Sequence, residues 1–210
     1  MIRTVLLACV FLLVPAAAVP GEATPRAALE RYFAEVETVE GRFTQVVRDE
    51  DGQVLEESRG TLAIQRPDRF DWFYREPFEQ RIVADGEYLW IHDPGLQQVT
   101  VQPLEETLGT GAALLLSGRL DTLEEQFRMD TDGDWLVLTP RDEGWNLTEA
   151  RLRMGDGLPE EIVVRDGLGQ ETRLTLRDLR TGVEFAADRF RFEPDADTDV
   201  IEQNGADLDR

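Results

Sequence analysis

Beyond residue 23 the chain holds one histidine, His92, two serines, Ser58 and Ser117, and neither cysteine nor lysine. Few covalent mechanisms survive that inventory. Without lysine there is no P-loop, no Schiff base and no lysine general base. Ser117 sits in LLLSGRL, which lacks the glycines of a nucleophile elbow. A single histidine without cysteine does not make a zinc site. Asp130, Asp132 and Asp134 in DTDGD alternate as calcium ligands would. Glycine falls at the fourth position of that run, however, and no glutamate at the twelfth, so a hairpin turn is the reading. The 43 acidic residues offer carboxylate pairs everywhere, which leaves a two-carboxylate hydrolase without a specific signal. The residues point away from an enzyme, a metal centre or a bound cofactor.

The chemistry on offer is apolar. Residues 65–77 read QRPDRFDWFYREP, with Phe70, Trp72 and Tyr74 on alternate positions just after Arg66-Pro67. Alternate residues of a strand share one face. Leu62 and Ile64 do the same on the preceding run, as do Ile82 with Ala84 and Leu89 with Ile91. A packed barrel would use these faces as core. An incomplete barrel would leave them lining an apolar cavity beneath a cover. Residues 103–120, PLEETLGTGAALLLSGRL, are the candidate cover. Two short helical pieces fit there, Leu104–Leu108 and Ala112–Ser117, joined by Gly109 and Gly111. Leu104, Leu108, Leu114, Leu115 and Leu116 would face the cavity. Arg66 would stand at the rim, with five donors for carbonyls of the lid.

The elements that must position these groups follow from periodicity. Thr24 is an N-cap and Pro25 a first helical residue; Leu29, Tyr32, Phe33, Val36 and Val39 then recur at helical spacing up to Gly41. Period two follows, punctuated by Asp-Gly at 51–52, 85–86, 132–133, 156–157 and 166–167, the strongest short hairpin signal. Strands are predicted over 41–48, 54–65, 70–74, 80–84, 88–92, 97–101, 126–130, 135–139, 146–154, 160–165, 172–179 and 189–192. So many antiparallel strands in order form a meander that curls into a barrel or half-barrel.

The N-terminus reads as a secretory signal over residues 1–18. Arg3 is its positive region, Val5–Val14 its apolar run and Ala16–Ala18 its cleavage site, with Ala23 as a second. Cys9 lies inside that run, so no lipid anchor is expected. Residues 19–210 then form one domain, with a loose acidic tail from about 195. Net charge is -21, and all 22 basic residues are arginine. That balance argues against nucleic acid and against anionic lipid surfaces.

The residues also resemble a family. Phe43-Thr44-Gln45, Gly60-Thr61-Leu62, Arg66-Pro67-Asp68-Arg69-Phe70-Asp71-Trp72, Asp85-Gly86-Glu87-Tyr88-Leu89-Trp90 and Asp93-Pro94 look like the outer-membrane lipoprotein carrier family, LolA. The resemblance extends through the insert and weakly to Phe190-Arg191-Phe192. It implies an unclosed antiparallel β-barrel with an N-terminal helix and a short helical lid. It implies a monomeric periplasmic chaperone that takes acylated lipoproteins from the inner-membrane transporter LolCDE and passes them to the outer-membrane receptor LolB. Arg66 would hold the lid closed, and Phe70 and Trp72 would line the acyl cavity. The alternatives are a LolB-like receptor, which needs a lipidated N-terminal cysteine, a periplasmic hydrolase, and a packed β domain without a cavity.

Overall fold

The computed structural model describes residues 24–104, 112–142, 145, 147–203 and 206, and of residues 112–114 the backbone alone. The signal segment, Leu108, Gly109, Gly111 and the side chain of Leu114 thus lie outside the described residues. Helix α1 spans Pro25–Glu35. The Thr24 hydroxyl caps it by accepting from the Ala27 N–H at 3.2 Å. Ala28, Leu29 and Tyr32 are its buried stripe. The helix ends before Gly41, because Thr38 and Val39 are taken by strand pairing.

Among the described residues twelve strands form one sheet: β1 Thr38–Arg48, β2 Val54–Gln65, β3 Arg69–Glu76, β4 Gln80–Asp85, β5 Tyr88–Asp93, β6 Gln98–Pro103, β7 Phe127–Asp132, β8 Trp135–Pro140, β9 Leu147–Gly155, β10 Leu158–Asp166, β11 Glu171–Thr181 and β12 Asp199–Glu202. The order is β12-β6-β5-β4-β3-β2-β1-β11-β10-β9-β8-β7, with β12 and β7 as free edges, so the barrel is not closed. All pairings are antiparallel except β12 on β6. Gly52, Gly86, Gly133 and Gly157 have φ between 58° and 104°, the left-handed backbone that Asp-Gly turns require. In the β10–β11 turn that role falls to Gly169 rather than Gly167.

Three expectations need correction. The predicted strand at 189–192 is not a strand: residues 189–190 end a turn and 191–192 have no regular structure. Its alternating aromatics pack separately, Phe190 on Phe185 and Phe192 on Trp90. The tail expected to be loose carries β12, and Ala206 is buried against the sheet. The stretch between the insert, read as ending at Leu120, and the strand, read as starting at Gln126, forms a helix, α3 Leu120–Gln126, which follows α2 Ala112–Ser117.

The core sits in the hollow of the sheet. Leu29 and Tyr32 of α1, Leu115 and Leu116 of α2 and Leu123 of α3 join one cluster with the inward side chains of β1–β5 and β7–β11. A smaller cluster lies on the outer face, where Val83, Trp90, Val99 and Val101 are covered by Phe192 and Ala206.

Candidate apolar carrier site

Register turns the predicted apolar positions into two cross-strand rows. Leu62 pairs with Trp72, Trp72 with Ile82 and Ile82 with Ile91. Beside that row, Ile64 pairs with Phe70, Phe70 with Ala84 and Ala84 with Leu89. Such lateral neighbours are the contact unit of a sheet. Tyr74 extends the surface. Its ring meets Phe43 edge-on at 4.9 Å, Phe43 lies 4.9 Å from Trp72, and the Tyr74 hydroxyl donates to Gln45 Oε1 at 3.0 Å. Gly60 makes room for this stack, since a Cβ there would fall 1.9 Å from the Phe73 carbonyl and 2.9 Å from the Phe43 ring. The structure brings all eight predicted lining residues together. Leu62, Ile64, Phe70, Trp72 and Leu89 are buried, whereas Tyr74, Ile82 and Ile91 stay partly exposed.

Of the helices, α2 lies on β2 and β3 beside these rows, whereas α1 packs on β7–β10 and α3 on β7. Beneath the cover, Leu104, Leu115, Leu123, Trp145 and Asp68 border a remaining cavity of about 250 Å³. A second space of about 600 Å³ runs between the end of α1 and residues 118–121, past Phe33, Val36, Arg66 and Leu120. Leu104, Leu115 and Leu116, expected in the lid, are buried in the shared core.

The polar ties gather at the β2–β3 turn. Arg66 Nη2 donates to the Tyr32 carbonyl at 2.6 Å, and the guanidinium covers the rings of Tyr32 at 4.5 Å and Phe33 at 4.7 Å. That carbonyl is in the last turn of α1, where it also accepts from the Val36 N–H at 3.0 Å and where the helix dipole favours a cation. Burial pushes the Arg66 pKa below its usual value. The expected partners of Arg66 in the insert fall largely on residues 105–111, outside the described residues; among the described residues its bond goes to α1. The insert is tied next to it. The Asp68 N–H donates to the Ser117 carbonyl at 3.0 Å, and the Tyr32 hydroxyl donates to the Leu116 carbonyl at 3.3 Å. Asp68, at φ 64°, has its carboxyl pKa raised by burial, with Arg119 opposing and Asp121 adding to the rise.

Sequence reasoning missed Tyr32 and Asp68 as ties. Tyr32 was visible only as one member of an apolar stripe. The D-G-x-x-L-W stretch gains a physical account. Asp85 Oδ1 accepts from the Glu87 and Tyr88 N–H groups, each at 2.8 Å, and Oδ2 from Trp90 Nε1 at 2.7 Å. The turn so held sends Leu89 into the hollow and Trp90 to the outer cluster. His92 stacks on Phe192, a packing partner of the outer cluster, while Ser58 shares the inward side of β2 with Leu62 and Ser117 ends α2 against the β2–β3 turn. The two serines and the histidine do not converge.

The family profile described as outer membrane lipoprotein carrier protein LolA matches residues 34–193. A protein from Halorhodospira halophila named outer-membrane lipoprotein carrier protein is 50% identical over 175 residues, covering 83% of this chain and 84% of that one. One of the same name from Alkalilimnicola ehrlichii is 46% identical, covering 88% of this chain and 86% of its own length. Among solved structures, a LolA-superfamily protein from Nitrosomonas europaea superposes with a TM-score of 0.51 at 16% identity, over 80% of this chain and 98% of that one, which speaks to the fold alone. The profile spans β1–β11, the β2–β3 turn and the rows described above, and the two relatives cover most of the chain: the chain belongs to the LolA family of outer-membrane lipoprotein carrier proteins.

Proposed function

We propose that the protein is a periplasmic carrier that takes acylated lipoproteins released from the inner membrane, shields their acyl chains against the inner rows of the sheet, and delivers them to the outer membrane. One observation carries this reading. An apolar surface built from β2–β5 is covered in part by α2, and the ties there are the Asp68–Ser117 main-chain bond, the Tyr32 hydroxyl to the Leu116 carbonyl and Arg66 to the Tyr32 carbonyl. Such a cover can be exchanged for another apolar one. Burial of an acyl chain is worth about 0.8 kcal/mol per CH₂. A lipoprotein therefore cannot enter water unaided, and the energy for loading has to come from a transporter.

LolCDE would supply the cargo and LolB would receive it, with Arg66 and Tyr32 closing the cover when the carrier is empty. A receptor anchored through Cys9 is not favoured, because the relatives at 50% and 46% identity are named as carriers. Intact mass of the exported protein should show cleavage near Ala18 or Ala23 and no acyl group; a diacylated cysteine would reverse this choice. The decisive experiment adds the mature protein to spheroplasts and measures lipoprotein released to the supernatant, then transfers it to the receptor. No release above a buffer control would end the carrier reading.

A further inference from the structure

We infer that the carrier docks through the end of the half-barrel made by the β1–β2, β3–β4, β5–β6 and β10–β11 turns, and that the partner there is a protein face with apolar sockets ringed by cations. The inference rests on the carrier reading above. Among the described residues six large apolar side chains are exposed, and five of them stand at this end: Val54 at 51%, Leu55 at 58%, Phe78 at 82%, Leu96 at 69% and Leu168 at 85%. Register puts their turns side by side. Arg48 pairs with both Val54 and Glu171, Arg59 with Glu76, and Asp93 with Gln98. The Arg66–Asp68 turn with its ties to the helices lies at the opposite end of β2 and β3. Two of the fringe turns touch, since a Cβ on Gly169 would lie 3.3 Å from the Glu50 Cβ. Single exposed apolar residues are ordinary; five on adjoining turns mark a contact surface.

The hollow opens toward the same end. Tyr74, Ile82 and Ile91 are partly exposed, while Ile64, Phe70 and Leu89 in the neighbouring row are closed off. An apolar track thus leads from the closed rows to the fringe.

Charge selects the occupant. Glu50, Asp51, Glu56, Glu57 and Glu79 are exposed among the apolar tips. Of the nearby cations, Arg48 donates to the Gly52 carbonyl, Arg59 pairs with Glu76 and Arg75 lies over the Phe73 ring. An anionic bilayer surface is repelled by such a rim. A cationic protein face is drawn to it, and separate tips on separate turns fit sockets.

The test is a Phe78→Ser/Leu168→Ser double variant, with both sites on exposed turns. Its thermal unfolding and its binding of a fluorescent long-chain fatty-acid probe should match the unsubstituted protein, because the inner rows are intact. Its release of lipoprotein from spheroplasts should fall about tenfold, the scale set by losing apolar anchors. Reversing the rim with Glu50→Arg, Asp51→Arg and Glu79→Arg should lower release as well, and added salt should weaken release by the unsubstituted protein. Normal release by the double variant would overturn the docking surface. Binding of the unsubstituted protein, but not the double variant, to phosphatidylglycerol vesicles would replace the protein partner with a lipid one. If the unsubstituted protein neither binds the probe nor releases lipoprotein, the carrier reading itself falls.

Discussion

Strand β3 has two faces, and each is covered in a different way. Phe70 and Trp72 point into the hollow, under helices tied by the Arg66–Tyr32, Asp68–Ser117 and Tyr32–Leu116 hydrogen bonds. Asp71, between them, points outward and is almost fully buried, at 2% exposure. Arg81 donates to it through Nε at 3.1 Å and Nη2 at 2.8 Å, and Arg189 from the C-terminal segment closes the clamp. Burial lowers the pKa of both arginines. Removing the inner cover exposes apolar surface and main-chain groups, which a lipid and water can satisfy. Removing the outer cover would strip a buried carboxylate of a charged partner, which no apolar ligand can replace. An apolar ligand could replace the inner cover but not the outer one.

The sharpest way to break this contrast is Asp71→Ala. It leaves Arg81 and Arg189 without their carboxylate and should cost about 3–5 kcal/mol, read as a lower denaturation midpoint with release of the C-terminal segment to proteolysis. A loss below about 1 kcal/mol would make the clamp an ordinary surface pair.

The inner face answers to alkali. Burial pushes the phenols of Tyr32 and Tyr74 up to about 12. A folded-state pKa above the unfolded value means that the neutral ring is favoured by folding. The stability is fully present below about pH 10 and is lost as pH rises toward 12, by about 2–3 kcal/mol for Tyr32. Melting temperature should fall over that window, and less in Tyr32→Phe. A flat profile would mean that water already reaches the ring.

At neutral pH Tyr32→Phe removes the hydroxyl tie to α2 and keeps the packing, so about 1 kcal/mol is at stake. Hydrogen exchange should rise in α2 ahead of the sheet; uniform protection would show that the tie does not couple the helices.

Arg66→Leu should change stability least. Leucine keeps apolar bulk over Tyr32 and Phe33, and a half-desolvated cation is given up along with its bond, for a net change within about 1 kcal/mol. The effect belongs to the cycle: loading should persist while delivery to the receptor slows, because closure no longer competes with the lipid. Normal delivery by the folded variant would remove Arg66 from the mechanism.

Much of this was legible in residue order. Thr24-Pro25 announced α1, the Asp-Gly pairs announced their turns, and alternation sorted Phe70 and Trp72 from Asp71. These are local signals, each set by φ/ψ preference or by the two-residue repeat of a strand. The same locality misled at Phe190 and Phe192, whose alternation imitates a strand although each ring packs against a different neighbour. Helix α3 had a readable trace in Leu120, Leu123 and Phe127, but it is short enough for the insert's glycines to mask it.

The sequence by itself determined α1, the strands β1–β11, the apolar rows and the family. Tertiary structure alone decided three things: that Arg66 meets α1, that β12 pairs with β6 a hundred residues earlier in register, and that Arg189 completes the Asp71 clamp. None of these has a local cause. A strand edge, a helix carbonyl and a buried carboxylate each take whichever distant partner the folded chain carries to them, and that choice is made by packing, not by spacing.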